Sequence, residues 1–230
     1  MTKEEFVAYV TSSPFDLSQE QIEQFDEYCL LLQQWNEKMN LTAITETDEI
    51  YEKHFLDCLL SLSEEVKGRV IDVGSGAGFP GVVWKIARPE LEVVLLEPTG
   101  KRVTFLNEVI RKLNLKGITT VNMRAEDYVS EARESFDVVT ARAVANLPVL
   151  SELCLPLVKV GGCFLAMKGA AGKEEAEAAR NAIRLLGGKT EAVEYLTLNG
   201  AGRYNIRIRK EKATDLKYPR RYDRIKKKPL

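Results

Sequence analysis

RVIDVGSGAGFPGVVWKIA, residues 69–87, runs from a short apolar segment through glycines at every second position into a segment with helical spacing. Gly74, Gly76 and Gly78 therefore sit where a strand hands over to a helix. In a doubly wound α/β sheet that first turn lies outside the carboxyl end of a central strand, where ligands bind. Glycine there permits positive φ and lets a ligand approach the backbone with no Cβ in the way. A plain tight turn needs only one such residue, so the alternation predicts a ligand cradle.

The sequence on either side supports such a sheet. RVIDV, EVVLLE, ITTVNM, FDVVTAR and GCFLAMK are short Val/Ile-rich runs too apolar to have a solvated face. Helical segments at 79–87, 99–113, 145–158 and 173–186 alternate with them, the pattern of an α/β fold with a mostly parallel, doubly wound sheet. The last two runs, in AVEYLTLNGAGRYNIRIRK (192–210), flank Asn199-Gly200-Ala201-Gly202 and predict an antiparallel hairpin at the sheet edge. Upstream, Ile22, Phe25, Cys29, Leu32 and Trp35 follow a Ser18 cap at helical steps, and a second amphipathic helix begins at Thr47. The expected division is a helical extension (1–66), the α/β unit (67–211) and a tail (212–230).

At 230 residues and 45% apolar, one main domain with elaborations is expected. No apolar run is long enough to span a bilayer and the start is acidic, so a cytoplasmic chain without membrane partners is expected, and a monomer. Cys29, Cys58, Cys154 and Cys163 are scattered and His54 is the only histidine, which argues against metal and for reduced, buried thiols. Net charge is −1, but from Arg203 onward there are twelve Lys/Arg against three Asp/Glu. That asymmetry suggests a polyanionic partner.

The cradle's guest has two readings. Gly76, Gly78 and Gly81 satisfy G-x-G-x-x-G, and Glu97 ends the next strand where a ribose-binding acid belongs, which suits a nicotinamide dinucleotide or S-adenosylmethionine. Pro80, expected at the first helical position, removes an N–H that a pyrophosphate would use. Asp72 suits the cationic end of a methionine better than a phosphate. Together these favour S-adenosylmethionine and leave the dinucleotide as the alternative.

DVGSGAGFPG, LLEPTGKRVTFLNEV, RAED, FDVVTARAVANL and GGCFLAMKG, in that order, with WNEKMNLTAIT and HFLDCLL upstream and YPRR and KKKPL at the end, resemble the bacterial small-subunit rRNA guanine-N7 methyltransferases, also called glucose-inhibited division protein B. The resemblance implies a class I, Rossmann-like methyltransferase fold using S-adenosylmethionine on a guanine in the 530 loop of 16S rRNA, with free rRNA or the 30S subunit as partner. It also implies that Gly74 and Phe79 line the cofactor site, where the glycine alternation already places Gly76, that Ala125 and Glu126 meet the adenine, and that Arg142 closes the pocket. The tail departs from the family pattern: Tyr222-Asp223-Arg224-Ile225 replace a Gly- and Pro-containing turn.

Guanine N7 has an in-plane lone pair and no proton to lose, so the reaction needs positioning rather than a base. An exocyclic amine acceptor would call for an N/D-P-P-aromatic turn where this chain reads ARAVANLP, and cytosine C5 would call for a cysteine nucleophile, whereas Cys154 is expected mid-helix. Arg142, ending a buried strand, is the candidate catalytic residue, bonding guanine O6, a phosphate or the cofactor carboxylate in a pocket expected to hold no histidine. Lys168 is a weaker candidate, and His54 and Asp57, three apart, are expected to pair with each other or cap the cofactor site. The basic end, with Tyr204, Tyr218 and Tyr222 among its cations, fits an RNA footprint.

Overall fold

The computed structural model describes residues 1–230. Strands β1 (Arg69–Val73), β2 (Glu92–Leu96), β3 (Ile118–Val121), β4 (Phe136–Arg142), β5 (Val158–Lys168), β6 (Gly188–Leu198) and β7 (Ala201–Lys210) form one sheet in the order β3-β2-β1-β4-β5-β7-β6. β1 to β5 pair in parallel and β7 runs antiparallel to both β5 and β6. The order reverses between β1 and β4, so the crevice beyond their carboxyl ends is the ligand position of this architecture.

Helices α1 (Lys3–Ser12), α2 (Gln19–Met39), α3 (Thr47–Ile50), α4 (Asp57–Leu59), α5 (Gly81–Ala87) and α6 (Gly100–Lys112) cover one face. Helices α7 (Ala125–Ala132), α8 (Leu147–Cys154), α9 (Gly172–Ala178), α10 (Arg180–Leu185) and α11 (Tyr222–Lys227) cover the other. Strands β1, β2, β4 and β5 feed both cores through their alternation: Val93 and Leu95 pack with Phe105 and Trp84, while Val94 and Leu96 pack with Val129 and Leu150. Both faces are buried, which is why these strands read as continuous apolar runs.

The N-terminal helices begin at capping boxes, Thr2 with Glu5 and Ser18 with Gln21. They also grip the glycine turn. Tyr28 Oη donates to Ala77 O (2.5 Å), Gln21 Nε2 to Ile86 O (2.7 Å), and Trp84 Nε1 to Cys58 O (2.9 Å). Between α3 and α4 the chain stays helical but widens to a π-helical turn, Tyr51–Leu56, a form enriched at functional sites.

Several boundaries differ from expectation. The helix expected from 79 begins at Gly81, with Pro80 as its N-cap after a cis Phe79–Pro80 bond rather than at the first helical position. The segment 145–158 divides into α8 and a 3₁₀ turn, Leu155–Leu157, because Pro156 has no N–H to continue the helix; Cys154 is thus the last residue of α8 and not mid-helix. The hairpin turns on Asn199 and Gly200 alone, both at positive φ (47° and 74°), the conformation an Asn-Gly pair adopts readily.

Candidate functional site

The cradle is assembled at the end of β1. Gly76 has φ +58°, and a Cβ built on it would meet nothing nearer than Gly74 O at 3.9 Å, so its face is open to a ligand. Gly78, by contrast, is needed for packing: a Cβ there would lie 2.6 Å from Val82 and 2.7 Å from the Tyr28 hydroxyl. Glu97, buried just beyond β2, braces the turn by accepting the Gly76 N–H (2.9 Å) and the Thr99 N–H (2.9 Å).

Asp72 is fully buried beneath this turn. Its Oδ2 accepts the Gly81 N–H (2.9 Å), whereas its Oδ1 has no partner, and neither do Ser75 Oγ and Thr140 Oγ1. Thr140 lies opposite Asp72 in the β1–β4 register. Burial pushes the Asp72 carboxyl up to about 7, against the Gly81 N–H and the Arg142 charge. Unpartnered buried polar atoms call for an explanation, and three around one cradle fit a ligand that brings an ammonium or hydroxyl donor.

Arg142, ending β4, joins groups from distant parts of the chain. Nη1 donates to Asp57 Oδ2 (2.9 Å) and Lys53 O (3.2 Å), Nη2 pairs with His54 Nδ1 (2.9 Å), and the guanidinium lies 4.9 Å from the Phe79 ring centroid. A guanidinium only donates, so Nδ1 is an acceptor and the imidazole proton sits on Nε2, facing Thr42 Oγ1 at 3.0 Å. His54 also stacks on Phe79 at 4.3 Å. Burial, then the Arg142 charge, drive its pKa down to about 3, so it stays neutral. Asp57 accepts a second guanidinium, Arg203 Nε at 3.1 Å. Arg142 keeps its Nε–H and one Nη2–H without protein partners.

These groups line an open cavity of about 450 Å³ whose other wall is Lys168, held against Glu175 and Ala145 O (both 2.6 Å). Ala143, at φ +57°, lines this cavity, and its neighbour Val144 lines a second, more apolar one of about 120 Å³. Gly74, Leu96, Ala125, Glu126 and Tyr222 wall the smaller cavity. The two cavities thus meet at consecutive residues after β4.

Gly74, Gly76, Glu97, Ala125 and Glu126 therefore come together around the cradle and the smaller cavity, with Arg142 at the larger one. Phe79 lies under His54 and Arg142 rather than beside Ala125. His54 stands in the Arg142 pocket, contrary to expectation, and it does not pair with Asp57: both bond Arg142 instead. Spacing along one helix could not reveal a partner 85 positions away. Glu175 was missed because nothing local marks it, and Arg203 and Tyr222, read from the sequence only as parts of the basic RNA-binding end, stand in the walls of the larger and the smaller cavity. The basic end is less free than its composition implied. Seven of its twelve cations pair with acids, among them Arg207 with Glu65 and Glu194, Lys210 with Glu134, and Arg220 with Glu152.

The fold has many solved counterparts. The cofactor-bound protein Rv0187 from MTB aligns over 92% of this chain and 99% of its own at a TM-score of 0.60 and 16% identity. The 16S rRNA (adenine(1408)-N(1))-methyltransferase from Catenulisporales acidiphilia, solved with cosubstrate SAM, covers 70% and 91% at 0.53 and 15%. Such identities establish the Rossmann-like methyltransferase fold. Sequence relatives are nearer. Proteins named ribosomal RNA small subunit methyltransferase G are 47% identical in Halalkalibacterium halodurans, over 98% of both chains, and 49% identical in Acetivibrio thermocellus, over 94% of this chain and 91% of the relative. The family profile described as rRNA small subunit methyltransferase G matches residues 21–203. With its fold, its cradle and these full-length relatives, the chain belongs to the rRNA small subunit methyltransferase G family.

Proposed function

We propose that this chain methylates the N7 atom of a guanine in the 530 loop of 16S rRNA, with S-adenosylmethionine as donor, acting as a cytoplasmic monomer on free rRNA or the 30S subunit. Supporting the donor are the unpartnered Asp72 Oδ1 and Ser75 Oγ, placed to receive an ammonium, and the open face of Gly76. Asp72 would hold the amino-acid end, Glu97 the ribose hydroxyls, and Ala125 and Glu126 the adenine. The donor, when bound, supplies a methyl group activated by a sulfonium.

The observation that carries the acceptor reading is the state of His54. Both ring nitrogens are engaged and the ring is neutral, so the one histidine beside the larger cavity is not a free base. Guanine N7 attacks without deprotonation and leaves catalysis to approximation. Arg142 would use its spare donors on guanine O6 or a phosphate, keeping N7 free. Its bond to Asp57 also matters, because it fixes the guanidinium and so holds the spare donors in one orientation. The three parts of the chain would then divide the work: 1–66 bracing the cradle, 67–211 holding donor and acceptor, 212–230 engaging RNA.

Tritium transfer from labelled donor to naked 16S rRNA and to 30S subunits tests the reading. The expected result is label in 7-methylguanosine with at least one substrate, falling at least a hundredfold in Arg142→Ala, roughly the cost of removing one transition-state donor. No transfer to either substrate, or tighter binding of NAD than of S-adenosylmethionine, contradicts it.

A further inference from the structure

The C-terminal tail is folded against the body and reaches the smaller cavity. Arg220 forks onto Glu152, whose side chain is fully buried in α8, through Nε (2.8 Å) and Nη2 (2.6 Å), and its backbone N–H adds a third bond at 2.8 Å. Arg133 Nη2 donates to Tyr218 O at 2.5 Å. Ile225 is fully buried in the second core. These anchors fix α11 so that Tyr222, one turn before Ile225, stands in the wall of the cavity with its ring 5.7 Å from the Arg124 guanidinium. The exposed surface of α11 and its C-cap is different. Arg224, Lys226, Lys227 and Lys228 are exposed and make no ion pair.

One short helix therefore presents an aromatic ring to the cradle side and a row of free cations to solvent. We propose that the tail is a clasp on the donor pocket: Tyr222 packs on the adenine, the outward cations take RNA phosphates, and each ligand tightens the other through the shared helix. This rests on the donor reading above. The chemistry is consistent on both sides, since an aromatic face packs on a purine, and unpaired Lys and Arg side chains suit a phosphate backbone. The coupling follows from linkage: if donor binding holds α11 in place, RNA meets an ordered cation row, and the reciprocal effect on donor affinity has the same size. Tyr222 is a binding and positioning residue here, not one that touches the reacting atoms.

Calorimetric titration of the full chain with S-adenosylmethionine is the test. Tyr222→Ala is expected to weaken donor binding about five- to tenfold, the equivalent of one lost aromatic contact, while Tyr222→Phe stays within twofold. A 530-loop RNA hairpin should tighten donor binding at least threefold in the unaltered chain and leave the Tyr222→Ala affinity unchanged. Should Tyr222→Ala fail to fold, hydrogen exchange on the unaltered chain decides: added donor should slow exchange across 218–230. Donor binding that ignores Tyr222→Ala, or exchange in the tail that ignores donor, overturns the clasp alone. An unaltered chain that binds no donor overturns the donor reading as well.

Discussion

Folding pulls the Asp72 proton one way, and a donor ammonium bound there, as proposed, would pull it the other. Because burial raises this carboxyl to about 7, the folded chain holds a proton there that the unfolded chain has released above about pH 4. The contribution to stability is therefore lost as pH rises from 4 to 7, the reverse of the usual salt-bridged Asp. Asp72→Asn should raise the melting temperature at pH 8, by the equivalent of roughly 4 kcal/mol, and do nothing below pH 4. A bound ammonium favours the ionised form, so donor affinity should climb between pH 5.5 and 7.5 in the unaltered chain and lose that slope in Asp72→Asn; a flat profile in calorimetry would remove Asp72 from the donor site. At His54 the sign differs. With its pKa near 3, the imidazole proton signals should not titrate between pH 5 and 8 in NMR. Arg142→Met removes the second cause of that depression, and a rise in the His54 pKa is expected. The sequence pointed to Arg142, His54 and Asp57 individually but not to their arrangement, because the guanidinium that unites them arrives from β4 and its contact depends on tertiary packing alone.

At the scale of elements, the two kinds of glycine in the cradle separate by mutation. Gly76→Ala places a Cβ in open space at positive φ, so only the strain of about 1–2 kcal/mol is expected in the melt, with a disproportionate loss of donor affinity. Gly81→Ala drives its Cβ into Leu95 and to 3.0 Å from Asp72, where α5 abuts β1 and β2, and should destabilise the fold itself. Equal stability losses in the two variants would contradict this division. The tail anchor gives another case. Arg220→Ala leaves the Glu152 carboxylate buried without its cation and should cost about 3 kcal/mol in denaturant unfolding. The doubly wound sheet and its hairpin were legible because period, glycine and Asn-Gly chemistry agree locally. The C-terminal helix was not. Tyr222 and Ile225, one turn apart, are the sparse apolar residues of a basic stretch, and only the groove beside α8 tells them from a solvated tail.

Seen whole, the chain wraps one sheet from both ends and brings both wraps to the same crevice. The N-terminal helices hold the glycine turn from one face through Tyr28 and Trp84, and the tail reaches it from the other through Tyr222. The charge asymmetry of the sequence survives folding in reduced form, since most cations on β7 are neutralised by acids of the body. Replacing Arg224, Lys226, Lys227 and Lys228 with Gln should weaken RNA binding and flatten its dependence on the logarithm of salt by roughly 3. An unchanged slope would place the RNA elsewhere. Methyl transfer to a guanine N7 of 16S rRNA can be decided by mass-spectrometric mapping of that rRNA from a strain lacking this gene and from the same strain with it restored. One 7-methylguanosine is expected in the 530 loop, absent without the gene and returned with it. A methyl group that returns on an exocyclic amine or on another base, or a 7-methylguanosine that persists in the deletion strain, would contradict it.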